Sequence, residues 1–188
     1  MQSEEKPKAP SLEVLKFFLG FANEHRIIAG DARENRERLK TSDSPTNRRN
    51  YVRSLFALFE LEESVLRSKA WDQVKAQRPR LDGITIERAN LLPETEFRIQ
   101  SSGRVQRLQR RIGFLDSFAY SIKTLKDLRN CDGDFLGGRG WEAMREAKEI
   151  RDRITHPRGR SVEISEDDLA KLEEAAEWLE WVKKSLSD

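Results

Sequence analysis

Few residues of this chain are equipped for chemistry. Among its 188 residues are one cysteine, Cys131, and two histidines, His25 and His156. A lone thiol excludes an intramolecular disulfide framework and any all-cysteine zinc site. Two histidines leave little material for a histidine-based metal centre, and no metal or other cofactor is expected. Cys131 stands beside Asp132 and Asp134, a poor setting for a thiolate. His25, within Glu24-His25-Arg26, reads as a surface residue. What remains is the run Glu149-Ile150-Arg151-Asp152-Arg153-Ile154-Thr155-His156-Pro157. Histidine has both protonation forms available near neutrality, so it can take and return a proton. Arginine presents a planar fork of donors that stays charged at any working pH, which suits it to an anionic centre. Plainer roles are open to both residues. A histidine before proline at a helix C-terminus caps the helix dipole, and Arg151 has Glu149, Asp152 and Glu174 as available ion-pair partners.

These residues need elements to position them. Residues 1–10 are polar and proline-bearing and read as a frayed, disordered tail. From Ser11 to about Leu39, Leu12, Leu15, Leu19, Ala22 and Ile27 fall near helical spacing. Ser44-Pro45 resembles an N-cap followed by proline at the first helical position. The helix that follows, to about Lys75, is apolar on several sides through Tyr51, Val52, Leu55, Phe56, Leu58, Phe59 and Leu61, which predicts a central, buried helix. Residues 76–103 have no clear period and form a long irregular connection. A helix is expected from about Arg104, with Leu108, Ile112, Leu115, Ala119, Ile122 and Leu125 on one stripe, ending before Cys131. Gly137, Gly138 and Gly140 predict a flexible turn. The next helix, Trp141 to His156, has a core stripe of Ala143, Ala147, Ile150 and Ile154, and Pro157 stops it. Ser165 and Asp168 have the spacing of an N-capping pair ahead of a last helix that runs to about Ser185. The expected fold is all-α: a bundle of about five helices in a single domain over residues 11–187.

Placed on that scaffold, Arg151 precedes His156 by five positions, which on an ideal helix leaves them roughly 140° apart around the axis. One regular helix does not aim both at a single group. Either the helix breaks at His156, as Pro157 encourages, or a symmetry-related copy supplies the missing side chain. Asp152 lies four residues before His156, where it could orient the ring.

Arg151, then the polar Asp152, then a short spacer ending in His156 resembles the signature of the HEPN superfamily (higher eukaryotes and prokaryotes nucleotide-binding domain). The all-α pattern, the late position of the motif at a helix end and the closing helix are similar to that superfamily over residues 11–187. The resemblance implies a metal-independent endoribonuclease, a homodimer in which motifs of both subunits meet in one cleft, and a role in a toxin–antitoxin or defence system. It makes Arg151 and His156 the catalytic pair, with Asp152 supporting. Metal-free RNA cleavage needs a proton taken from a 2′-hydroxyl and charge stabilised on a crowded phosphorane. Lys148, Arg153, Arg158 and Arg160 are the expected RNA-binding residues. Some family toxins carry a tyrosine two residues beyond the histidine; here that position is Arg158. The alternative from another class is a non-catalytic helical module that binds nucleotide, RNA or a protein partner.

Charge agrees with an RNA partner only locally. The whole chain carries +2. Residues 139–160 hold seven basic and four acidic residues, whereas residues 161–188 hold three basic and nine acidic ones. Arg98, Arg104, Arg107, Arg110 and Arg111 form a second basic patch. Trp141, Trp178 and Trp181 are available to stack bases or simply to pack. No apolar run approaches the roughly 20 residues of a membrane-spanning helix, and Met1–Pro7 has no secretory apolar segment. The expected compartment is the cytoplasm.

Overall fold

The computed structural model describes residues 12–77, 91–93, 95–109, 112–157, 159 and 161–186. The tail at residues 1–10 and most of the long connection therefore lie outside the described residues. Five helices and one small antiparallel sheet make up the described fold: α1 (Leu12–Thr41), α2 (Pro45–Gln77), β1 (Thr95–Ile99), β2 (Val105–Gln109), α3 (Phe114–Arg129), α4 (Arg139–Thr155) and α5 (Glu166–Ser185). The expected all-α bundle is what forms.

Helix α2 is the hub, flanked by α1, α3, α4 and α5. Its start follows from the sequence: the Ser44 hydroxyl accepts the Asn47 N–H at 3.2 Å, and Pro45 occupies the first helical position. Tyr51, Val52, Leu55, Phe56, Phe59, Leu66, Ala70 and Val74 are buried along it. Against them pack the stripe Ala143, Ala147, Ile150 and Ile154 of α4 and Leu172, Leu179 and Val182 of α5. Aromatic rings run through this core, with Phe56–Phe114 at 4.9 Å, Phe114–Phe118 at 5.5 Å and Phe118–Trp178 at 5.9 Å between centroids. Trp178 is a core residue, and its indole N–H donates to the Phe135 carbonyl at 3.2 Å.

Three expectations are corrected. On α1 the sheltered stripe is Phe21, His25, Ile28, Ala32, Asn35 and Leu39, while Ala22 and Ile27 face solvent. The two polar members hide its helical period from a count of apolar residues. His25 is accordingly not a simple surface residue, because its Nε2 lies 2.8 Å from the buried Glu62 carboxylate, which Lys183 of α5 also engages. Second, residues 105–109 are a strand, and the helix expected from Arg104 begins at Phe114. Leu108 and Ile112 happen to continue the α3 spacing backward, but Gly113 intervenes as its N-cap. A tight loop closes the hairpin: the Gly103 N–H donates to the Gln100 carbonyl at 2.9 Å, with φ of 77° at Gly103, a left-handed value that favours glycine. Third, the turn before α4 is held in place. The Asp134 carboxylate accepts the Gly137 N–H at 2.8 Å, and Gly140 lets α4 close onto Trp178.

Two terminations matter for the site. The α4 ladder ends at Thr155, and His156, with φ −133° and ψ 69°, caps it by donating its N–H to the Asp152 carbonyl at 2.8 Å. Helix α5 opens with a complete capping box between Ser165 and Asp168.

Candidate functional site

The C-terminal turn of α4 faces a cleft of about 570 Å³. Lys148, Arg151, Asp152 and His156 form one wall, and Glu60, Glu63 and Arg67 of α2 form another. Gln109 at the end of β2, Ile112, Phe114 and Ser117 complete it. The break at His156 resolves the angular problem posed by the spacing. Leaving helical geometry one residue after Thr155 brings the histidine to the same opening as Arg151.

Arg151 is fixed from three directions. Its Nη1 donates to Asp152 at 2.9 Å, its Nη2 donates to Glu60, and its guanidinium carbon lies 4.8 Å from the centroid of the Phe56 ring. Asp152 in turn accepts from Lys148 at 2.6 Å. Partial burial pushes the Asp152 carboxyl up, but the hydrogen bonds from Lys148 and Arg151 outweigh that, and its pKa sits below the usual carboxylate value of 3.8. The Asp152 side chain therefore orients Arg151, not the imidazole. Among the described residues the His156 ring makes no hydrogen bond, and it is exposed at the mouth of the cleft.

A second cluster lies in the same cleft. The buried carboxylate of Glu63 accepts from Arg67 Nε at 3.1 Å and from the Ser117 hydroxyl of α3. The cleft thus holds three cations (Lys148, Arg151, Arg67) interleaved with three carboxylates (Glu60, Glu63, Asp152). This arrangement pairs every charged side chain of the cleft, and among its described residues His156 is the ionisable side chain without a hydrogen bond.

The remaining expected residues either have other partners or lie outside the described residues. Arg153, two positions beyond Arg151, points away from the cleft. It donates to Asp168 at 2.6 Å and to the Glu163 carbonyl at 3.3 Å, tying α4 to the start of α5. Arg158 and Arg160 lie outside the described residues. Glu174 pairs with Arg139 at 2.7 Å, not with Arg151. Trp141 packs on Trp178 at 5.5 Å and Trp181 on Phe135 at 5.1 Å, so neither borders the cleft.

Sequence reasoning overlooked the contribution of α2. Glu60, Glu63 and Arg67 sit at i, i+3 and i+7 on a helix otherwise greasy over much of its circumference. Charged residues recurring at helical spacing inside such a helix are the signal that could have found them. Among the described residues no group of three His, Cys, Asp or Glu side chains has the geometry of a metal site, and no helix is long and apolar enough to cross a membrane. No family model, curated protein or solved structure matches this chain.

Proposed function

We propose that this chain is a metal-independent endoribonuclease of the HEPN type, acting in the cytoplasm as a homodimer within a toxin–antitoxin or defence system. One observation carries the reading. Arg151 and His156, which an unbroken helix would turn apart, line one cleft because the helix stops between them. In that cleft His156 takes the proton of an RNA 2′-hydroxyl, and the freed oxygen attacks the adjacent phosphorus. Arg151 stabilises the charge that builds on the equatorial oxygens. The bond from phosphorus to the 5′-oxygen breaks, the departing oxygen takes a proton from water, a 2′,3′-cyclic phosphate remains, and His156 returns its proton to solvent. Asp152 and Glu60 set the guanidinium, and Lys148 supplies a further positive charge. A second copy of the chain would bring its own motif to the same linkage.

The pairing of every cleft cation with a carboxylate favours a second reading, a helical module that binds nucleotide, RNA or a protein partner without cutting. Incubating the purified chain with RNA in the presence of a chelator separates the two. The nuclease reading expects cleavage that leaves cyclic phosphate ends and is blocked by 2′-deoxy substitution. It expects His156→Ala to slow cleavage by about 10²–10⁴-fold and Arg151→Ala by about 10²–10³-fold, with helical circular dichroism unchanged. Cleavage by His156→Ala at the parental rate, or none by the parent on any RNA, would leave only the binding module.

A further inference from the structure

The β1–β2 hairpin is an arm whose strands pair with each other. Among the described side chains of residues 95–109 none belongs to the core, and an isolated two-stranded ribbon is only marginally stable in water. Its charge is one-sided. Arg98, Arg104 and Arg107 are exposed and have no acidic partner among the described residues, and Glu96 is the one acidic residue on either strand.

Alternation along β2 decides which face matters. Gln109 lines the cleft. Side chains repeat on one face every two residues, so Arg107 and then Val105 extend the Gln109 face away from the cleft. Val105 is paired across the strands with Ile99, and the two are 65% and 76% exposed. The other face carries Arg98 and the Gln100–Gln106 side-chain hydrogen bond of 3.1 Å. Among the described side chains, this face of the arm carries a polar residue at the cleft, an exposed guanidinium without an acidic partner, and the exposed Ile99–Val105 pair; Phe97 is the cross-strand partner of Arg107.

We infer that this face binds single-stranded RNA where it leaves the cleft, with Arg107 on a phosphate and the Ile99–Val105 pair beneath an unstacked base. The guanidinium supplies charge complementarity to the backbone. An apolar platform is useful only to bases not already stacked in a duplex. The inference rests on the proposed RNA substrate but not on cleavage, and binding tests it separately.

The experiment measures fluorescence anisotropy of a labelled single-stranded RNA blocked by 2′-O-methyl groups, using the full chain across a salt series. Arg107→Ala is expected to weaken binding about fivefold to tenfold and to reduce the slope of log affinity against log salt by about 0.7. Arg98→Ala, the same charge change on the opposite face, should have a much smaller effect. An Ile99→Ser/Val105→Ser double variant should also bind more weakly, with its sedimentation mass unchanged. Equal losses from Arg98→Ala and Arg107→Ala would mean diffuse attraction and overturn the assignment to one face. So would a double variant that changes the mass but not RNA binding, since the platform would then be a protein interface. Absence of binding by the parent overturns it outright. Arg107-dependent binding without cleavage of unblocked RNA would support the arm and overturn only the nuclease reading.

Discussion

At the scale of single residues, the site is governed by who neutralises Arg151. Its guanidinium is shared between Asp152 on its own helix and Glu60 on α2, over the face of Phe56. Glutamine at position 60 would keep an oxygen to accept from Arg151 and would remove only the negative charge at the mouth of the cleft, where Glu60 is exposed. Glu60→Gln should therefore tighten RNA binding by up to about fivefold at low salt, the range of a partly exposed ion pair. The gain should shrink as ionic strength rises, and anisotropy titrations at two salt concentrations would reveal it. Weaker binding would show that Glu60 positions the arginine instead. The serine and glutamate behind them, Ser117 and Glu63, anchor α2 to the start of α3 and so set the width of the cleft.

At the scale of elements, α4 is held to α5 at the end nearest the site. Asp168 accepts the Ser165 N–H at 2.9 Å and also takes Arg153 at 2.6 Å, so one carboxylate closes the capping box and the inter-helix bridge. Burial raises its pKa, but the Ser165 and Arg153 hydrogen bonds together outweigh this and leave it below 3.8. A carboxylate whose pKa is lower folded than unfolded contributes stability in full above the unfolded value, and that stability disappears as pH falls through the folded one. The parent should therefore lose stability on acidification below about pH 4. Asp168→Asn should be less stable than the parent at neutral pH by about 1–3 kcal/mol, because it leaves the Arg153 charge without its partner. The gap should narrow as acid protonates Asp168 in the parent. Urea denaturation midpoints across pH would check both the sign and the window; a constant gap would exclude Asp168 as the titrating group.

At the scale of the whole molecule, the bundle depends on α4 approaching α5 closely at its first turn. A Cβ built on Gly140 would lie 2.3 Å from Cδ1 of Trp178, and Trp178 is packed between Phe118 and Trp141. The Trp178 Cβ would lie only 2.6 Å away, so relief requires more than a turn of the ring. Gly140→Ala should destabilise the fold by about 1–3 kcal/mol, and for a chain of this size each kcal/mol lowers the melting temperature by about 2–4 °C. A thermal melt with an unchanged midpoint would mean that α4 can slide along α5. Such sliding would carry Arg151 and His156 relative to α2, so on the nuclease reading RNA cleavage by Gly140→Ala would fall even where stability is kept.

The local rules written into the chain were sufficient for α2, α4 and the start of α5, but not for the buried stripe of α1 or the start of α3. Ser44-Pro45, Pro157 and the Ser165–Asp168 pair mark helix ends because capping and proline geometry depend on neighbours a few residues away. The stripe from Ala143 to Ile154 and the greasy α2 likewise announced what they bury, because apolar period follows from helix geometry. The candidate pair Arg151 and His156 was legible for the same reason, being local. The hairpin was not: its strands are short, and Leu108 mimics the period of the helix that follows Gly113. Nor were Glu60, Glu63, Arg67 and Ser117, which join the α4 motif across as many as 91 residues of chain between Glu60 and Arg151. Which face a charged residue turns to, and whether Arg153 meets a cleft or a helix cap, is decided when helices pack. That choice depends on partners distant in sequence, and only the tertiary structure contains them.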